Sequence, residues 1–183
     1  LTMPVVALIG HFILAFAATA GRISIFASQA LLRSLTPPYH PQLLARQMVE
    51  IGFYSLPVVG LTAIFTGMVL ALQSFTVFSR FSSEAAIPNV VVVSITRELG
   101  PVLAGLMVAG RVGAAIAAEI GTMRVTEQID ALTTLKTDPL RYLVAPRLIA
   151  ATLMLPVLVL IADIIGVMGG YLVSVYKLGF QGD

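Results

Sequence analysis

Five charged residues interrupt stretches that are otherwise apolar. Arg97, Glu98, Arg111 and Glu119 lie between Ala86 and Gly121, and Asp163 lies between Leu148 and Tyr176. At membrane depth each costs at least about 2.5–3.5 kcal/mol, so each needs a partner or a task. Arg97 and Glu98 are neighbours and point in different directions beside Gly100-Pro101, where proline removes a backbone hydrogen bond and should kink a helix. Beside such a break they suit the lining of a polar cavity for a charged headgroup. Asp163 is a functional candidate by the rule for intramembrane acids, although a buried salt bridge to one of the arginines accounts for it equally well. Arg111 and Glu119 are two turns apart on roughly one face. We expect them to meet partners on other helices or to sit near the headgroups.

Other chemistry has little to work with. Cysteine is absent, and the two histidines, His11 and His40, have no partner at metal-ligand spacing. Lys136 and Lys177 follow Leu135 and Tyr176, so there is no Gly-Lys-Ser/Thr phosphate loop. No Gly-x-Ser-x-Gly elbow occurs. Any uphill movement this chain supports must draw on an ion gradient or on a separate ATPase.

The elements that hold these residues are membrane helices. Of the 183 residues, 58% are hydrophobic and 11% charged, and mean hydropathy is +0.97. Soluble domains carry roughly 25% charged residues, so a soluble enzyme, a disordered tail and a nucleic-acid binder are excluded. No charge falls between Glu50 and Arg80. As a helix that run is about 44 Å long at roughly 1.5 Å per residue, ample for a hydrocarbon core of about 30 Å. We expect spans over 51–80, 86–121 and 148–176 within a single domain covering 1–183. An N-terminal helix over 1–36 is apolar at first. It then becomes amphipathic from Arg22 to Ser34, as suits an interfacial helix, before Pro37, Pro38 and Pro41 break it. The lack of basic residues ahead of the apolar run argues against a cleaved signal peptide. Beginning at Leu1, the chain reads as part of a longer product.

Arg22, Arg33 and Arg46 precede the first span, and Arg124, Lys136, Arg141 and Arg147 separate the second from the third. The positive-inside rule therefore places 22–50 and 122–147 in the cytoplasm. Within the latter stretch, a short helix over 126–136 is expected, with Thr126 as its cap, Glu127 and Asp130 near its start and Lys136 near its end. Ile129, Leu132 and Leu135 recur every third residue as an apolar stripe, and Asp138-Pro139 is expected to stop the helix. Such a helix either floats at the interface or docks into a cytosolic partner's groove. In the second span, Gly105, Ala109, Gly113, Ala117 and Gly121 form a small-residue ridge, beside Gly110, Ala114 and Ala118. The ridge suits close helix packing, either within one bundle or across a dimer.

The runs Glu98-Leu99-Gly100-Pro101-Val102-Leu103, Ala109-Gly110-Arg111-Val112-Gly113, Ala118-Glu119-Ile120-Gly121-Thr122-Met123 and Thr126-Glu127-Gln128-Ile129-Asp130-Ala131-Leu132 resemble the signature of the MlaE (YrbE) permeases. Phe65 to Gln73, Asp138 to Tyr142, Ala145 to Arg147, Leu155-Pro156 and Gly169-Gly170 add to the resemblance, which covers roughly residues 20 to 180. It implies an all-α integral membrane fold with an interfacial elbow helix, transmembrane helices and a cytoplasmic coupling helix. The family carries two further hydrophobic segments. It also implies the permease subunit of an ABC transporter in the bacterial inner membrane, a homodimer that moves phospholipid and maintains outer-membrane lipid asymmetry. Such a chain is no enzyme and holds no cofactor of its own, since ATP is bound by a cytosolic ABC ATPase. A STAS-domain protein and periplasmic MCE-domain subunits complete the assembly. By the same resemblance, Arg97 and Glu98 face a lipid cavity. The segment carrying Glu127, Gln128, Ile129, Asp130, Leu132 and Leu135 becomes the coupling helix. Two rivals remain. One is an ion-coupled secondary transporter relaying through Asp163, Glu98 and Arg97, and the other is a scaffold that transports nothing.

Overall fold

The computed structural model describes residues 3–36, 41–81 and 86–176. Among them the chain is helical throughout, with no strand. Helix α1 is Met3–Ser34, α2 is Pro41–Gly52, α3 is Leu56–Phe78, α4 is Ile87–Ser94, α5 is Gly100–Val125, α6 is Gln128–Thr134 and α7 is Ala145–Tyr176. Four helical stretches are long and apolar enough to cross a membrane: Ala7–Ser34, Pro41–Phe81, Ile87–Val125 and Leu140–Tyr176. Pro37, Pro38 and the segment after Tyr176 lie outside the described residues.

Proline shapes the start of each long helix. A proline supplies no N–H, so the turn ahead of it must be satisfied differently. Before Gly100-Pro101 the turn widens to a π-helix over Ile95–Leu99, and Gly100 N–H donates to the Ile95 carbonyl. Before Ala145-Pro146 the same happens over Leu140–Val144, with Ala145 N–H donating to Leu140. Before Leu56-Pro57 the turn tightens instead, to a 3₁₀ turn over Phe53–Ser55. The break expected at Gly100-Pro101 is thus a π-turn, and helical structure runs through it. Likewise α1 continues unbroken from its apolar half into its amphipathic half.

The core lies between α3, α5 and α7, with α2 packed on α7. Val59, Ala63, Ala104, Val108, Leu158 and Ala162 form its centre, and Ala71, Ile87, Val91 and Ile95 form a second cluster toward α4. The closest helix contact is between α3 and α7. A Cβ at Gly67 would overlap the Gly166 carbonyl, and one at Gly169 would overlap the carbonyl of Ile64. Small residues let backbones approach this closely, which is the main source of helix association in lipid. The ridge on α5 does not do this within the chain. Ala109, Gly113, Ala117 and Gly121 are exposed and Gly105 is half-buried. A Cβ at Gly105, Gly110, Gly113 or Gly121 would meet nothing within 4 Å. The ridge therefore faces outward, because α5 turns Ala104 and Val108 toward the core.

Candidate functional site

The residues singled out by type fall in two separate places. Arg97 and Glu98 lie on the π-turn, within the stretch Ile87–Val125, and are both exposed. A widened turn presents its side chains out of the regular helical register, which is why such turns collect at functional positions. Asp163 approaches the same turn from α7. Its carboxylate lies against Gly100, where a Cβ would overlap Oδ1, and glycine at that position makes the approach possible. Asp163 Oδ1 is buried and has no hydrogen-bond partner among the described residues. Asp163 forms no ion pair there either, so neither Arg97 nor Arg111 is its salt-bridge partner. The cavity beside Gly100, lined by Thr62, Thr66 and Leu103 among others, measures only about 10 Å³. That is room for at most one water. The three candidate lipid-cavity residues thus share a neighbourhood but do not enclose a lipid-sized space among the described residues.

Farther along α5, Arg111 and Glu119 find partners on other helices. Arg111 Nη1 donates to Ser55 Oγ at 3.0 Å, and Glu119 Oε2 pairs with Arg147 Nη2 at 2.6 Å. Arg147 also donates to the Leu143 carbonyl at 3.0 Å. Between α2 and α5, Arg111 and Glu119 border a cavity of about 200 Å³ that also takes in Gln47, Glu50 and Tyr54.

Beyond the end of α5 lies α6. It is a helix of about two turns, fenced by two non-glycine residues with positive φ, Glu127 and Lys136, each at 57°. Thr126 is not its cap. The Thr126 hydroxyl donates back to the Thr122 carbonyl at 2.9 Å, and Glu127 takes the N-cap position without a side-chain bond. At the far end Lys136 N–H donates to Thr133 and Thr137 N–H to Leu132, both at 3.0 Å. This is the paired Schellman pattern that normally recruits glycine at the left-handed position. The apolar stripe divides, with Ile129 and Leu132 half-buried and Leu135 75% exposed. Glu127, Gln128 and Asp130 are exposed, and Asp130 meets Arg124 at 3.4 Å. The helix ends before Asp138-Pro139. Asp138 begins the next element instead, its Oδ1 accepting from Leu140 N–H at 3.1 Å.

Spacing alone did not reveal a tie between α1 and this segment. Arg33 forms an ion pair with Asp138, and Arg141 Nη2 donates to Thr36 Oγ1 at 3.0 Å. The only sequence signal was that all four residues lie in the stretches assigned to one membrane side. Among the described residues no cluster of His, Asp or Glu could hold a metal ion.

A bundle of long apolar helices, with charged groups at both ends and a short helix presented between two of them, defines a multi-pass all-α membrane protein. The family model described as Permease MlaE matches residues 44–183. A probable ABC transporter permease protein of Rickettsia felis is 63% identical over 173 residues, covering 94% of this chain and 67% of its own length. The intermembrane phospholipid transport system permease protein MlaE of Haemophilus influenzae is 40% identical over 167 residues, 91% of this chain and 64% of that protein. A chloroplast protein of Arabidopsis thaliana, TRIGALACTOSYLDIACYLGLYCEROL 1, is 40% identical over 152 residues, 83% of this chain and 43% of its length. The chain belongs to the MlaE permease family. It spans about two thirds of the length of its Rickettsia relatives.

Proposed function

We propose that this chain belongs to the permease of an ABC transporter that moves glycerophospholipid between the inner and outer membranes and so maintains outer-membrane lipid asymmetry. The permease works in the bacterial inner membrane as a homodimer. A separate cytosolic ATPase binds the ATP, a STAS-domain protein accompanies it, and MCE-domain subunits lie on the periplasmic side. The observation that carries this reading is α6: a short helix held at fixed geometry by left-handed residues at both ends, with Leu135 turned outward. A helix free to float has no need of such bracketing, whereas a knob that receives motion from a partner's groove does. Arg97 and Glu98 on the π-turn, with Asp163 packed beside it, are the groups assigned to the lipid path. The Haemophilus relative, whose name states intermembrane phospholipid transport, supports the cargo. The outward ridge of Gly105, Ala109, Gly113, Ala117 and Gly121 supports self-association.

An ion relay through Asp163, Glu98 and Arg97 draws less support, since Asp163 makes no ion pair with Arg97 among the described residues. The test is purification of the permease from its native membrane, with mass spectrometry of the proteins and lipids that accompany it. Phospholipid and an ABC ATPase are expected to accompany the permease, and Leu135→Asp is expected to lose the ATPase while the lipid is retained. Absence of any nucleotide-binding subunit contradicts the proposal.

A further inference from the structure

The cavity between α2 and α5 has a chemistry that the outer residues do not use. Its volume of about 200 Å³ far exceeds the ~10–15 Å³ that one water needs. Glu119 is already neutralised by Arg147 at 2.6 Å. Arg111 reaches only the neutral Ser55 hydroxyl, and Glu50 has no ion pair among the described residues. The cavity therefore presents one cation and one anion, each without a countercharge. Gln47 also lines the cavity, an amide with no hydrogen bond among the described residues. An amide offers both a donor and an acceptor, so the site suits a ligand that both donates and accepts. Val112, Ala115 and Ile116 supply an apolar wall beside these groups.

We propose that this cavity binds the zwitterionic phosphoethanolamine headgroup of a membrane phospholipid. The Arg111 guanidinium, a planar fork suited to phosphate, takes the phosphate. Glu50 takes the ammonium, and the Gln47 carbonyl oxygen accepts a second ammonium N–H. A glycerol headgroup brings no cation for Glu50, and a trimethylated ammonium has no N–H for Gln47. The site thus selects the primary amine. Arg111 lies about 21 Å along the helical path from Arg97, at roughly 1.5 Å per residue, so this is a second headgroup position separate from the π-turn. The inference rests on the phospholipid-transport reading and adds to it the headgroup class and a second place where lipid waits.

The test uses the full-length permease in nanodiscs of equal phosphatidylethanolamine and phosphatidylglycerol, with photoactivatable analogues of each and peptide mapping of the adducts. The phosphatidylethanolamine probe is expected to label the segments 47–54 and 111–119 in preference to the phosphatidylglycerol probe. Glu50→Gln, nearly isosteric and at an exposed position, lowers that preference about tenfold, as the loss of one charge-assisted hydrogen bond predicts. Arg111→Lys keeps the charge but loses the fork, and it weakens labelling by both probes. Soluble glycerophosphoethanolamine in tenfold excess leaves labelling unchanged. Equal labelling by the two probes, insensitivity to Glu50→Gln, or displacement by the soluble headgroup overturns the proposal. ATP-driven transport measured on the same preparations separates the two readings. Absence of preferential labelling in the unsubstituted permease with transport intact refutes this site alone, and preferential labelling with transport absent refutes the transport reading while the site stands.

Discussion

Glu119 and Arg147 are unequal partners. The Arg147 side chain is 6% exposed while that of Glu119 is 44% exposed, and Arg147 Nε already lacks an acceptor among the described residues. Removing the acid strands a buried cation, whereas removing the cation returns Glu119 to a polar boundary. Glu119→Gln is therefore expected to cost on the order of 2 kcal/mol, less than the ~3–5 kcal/mol of a fully buried pair. Arg147→Met should cost less, and thermal unfolding in detergent checks the order. The reverse order would mean that packing of the arginine stem, not its charge, sets the local stability. That Arg111 and Glu119 meet other helices was legible from their costly position at membrane depth. That the partners are Ser55 and Arg147 was not, because the rotation of α5 about its axis decides it.

At the scale of elements, the long helices were legible because long, mostly apolar runs admit few other structures, and Gly100-Pro101 marked a break. The form of the break depends on where the freed carbonyls find donors, and the answer is a π-turn that carries Arg97 and Glu98 outward. The left-handed fence around α6 was hidden because Glu127 and Lys136 are not glycines. Two predictions belong here. Leu135→Asp should leave membrane insertion and unfolding temperature near normal, since the residue is 75% exposed. The same change should uncouple ATP hydrolysis from lipid movement, read as the ratio of lipid moved to phosphate released. An unchanged ratio removes the docking role of α6. Gly67→Ala forces a methyl into the Gly166 carbonyl and should destabilise the bundle by about 1–3 kcal/mol. Gly113→Ala, with open space around it, should leave unfolding of the protomer within about 0.5 kcal/mol while altering self-association measured in detergent. Equal effects from the two glycines would contradict the α3–α7 seam.

Across the whole molecule, small residues serve two surfaces. Those of α3 and α7 close the chain on itself, and those of α5 face away from it. Spacing exposed the α5 set and not the α3–α7 set, and it could not say whether α5 packs inside the chain, since a helix pattern records which residues share a face and not what lies opposite that face. The candidate lipid groups gather around the π-turn within the span, and the bracketed α6 lies beyond the end of α5, on the loop side that Arg33 and Asp138 tie to α1. No Gly-Lys-Ser/Thr loop occurs in the sequence given, and under the proposed function the work arrives through α6. The most direct measurement reconstitutes the permease in proteoliposomes and follows transfer of labelled phospholipid to acceptor vesicles, with and without the ATPase and Mg-ATP. Transfer is expected only when the ATPase hydrolyses nucleotide. Transfer by the permease alone on a proton gradient would contradict the account.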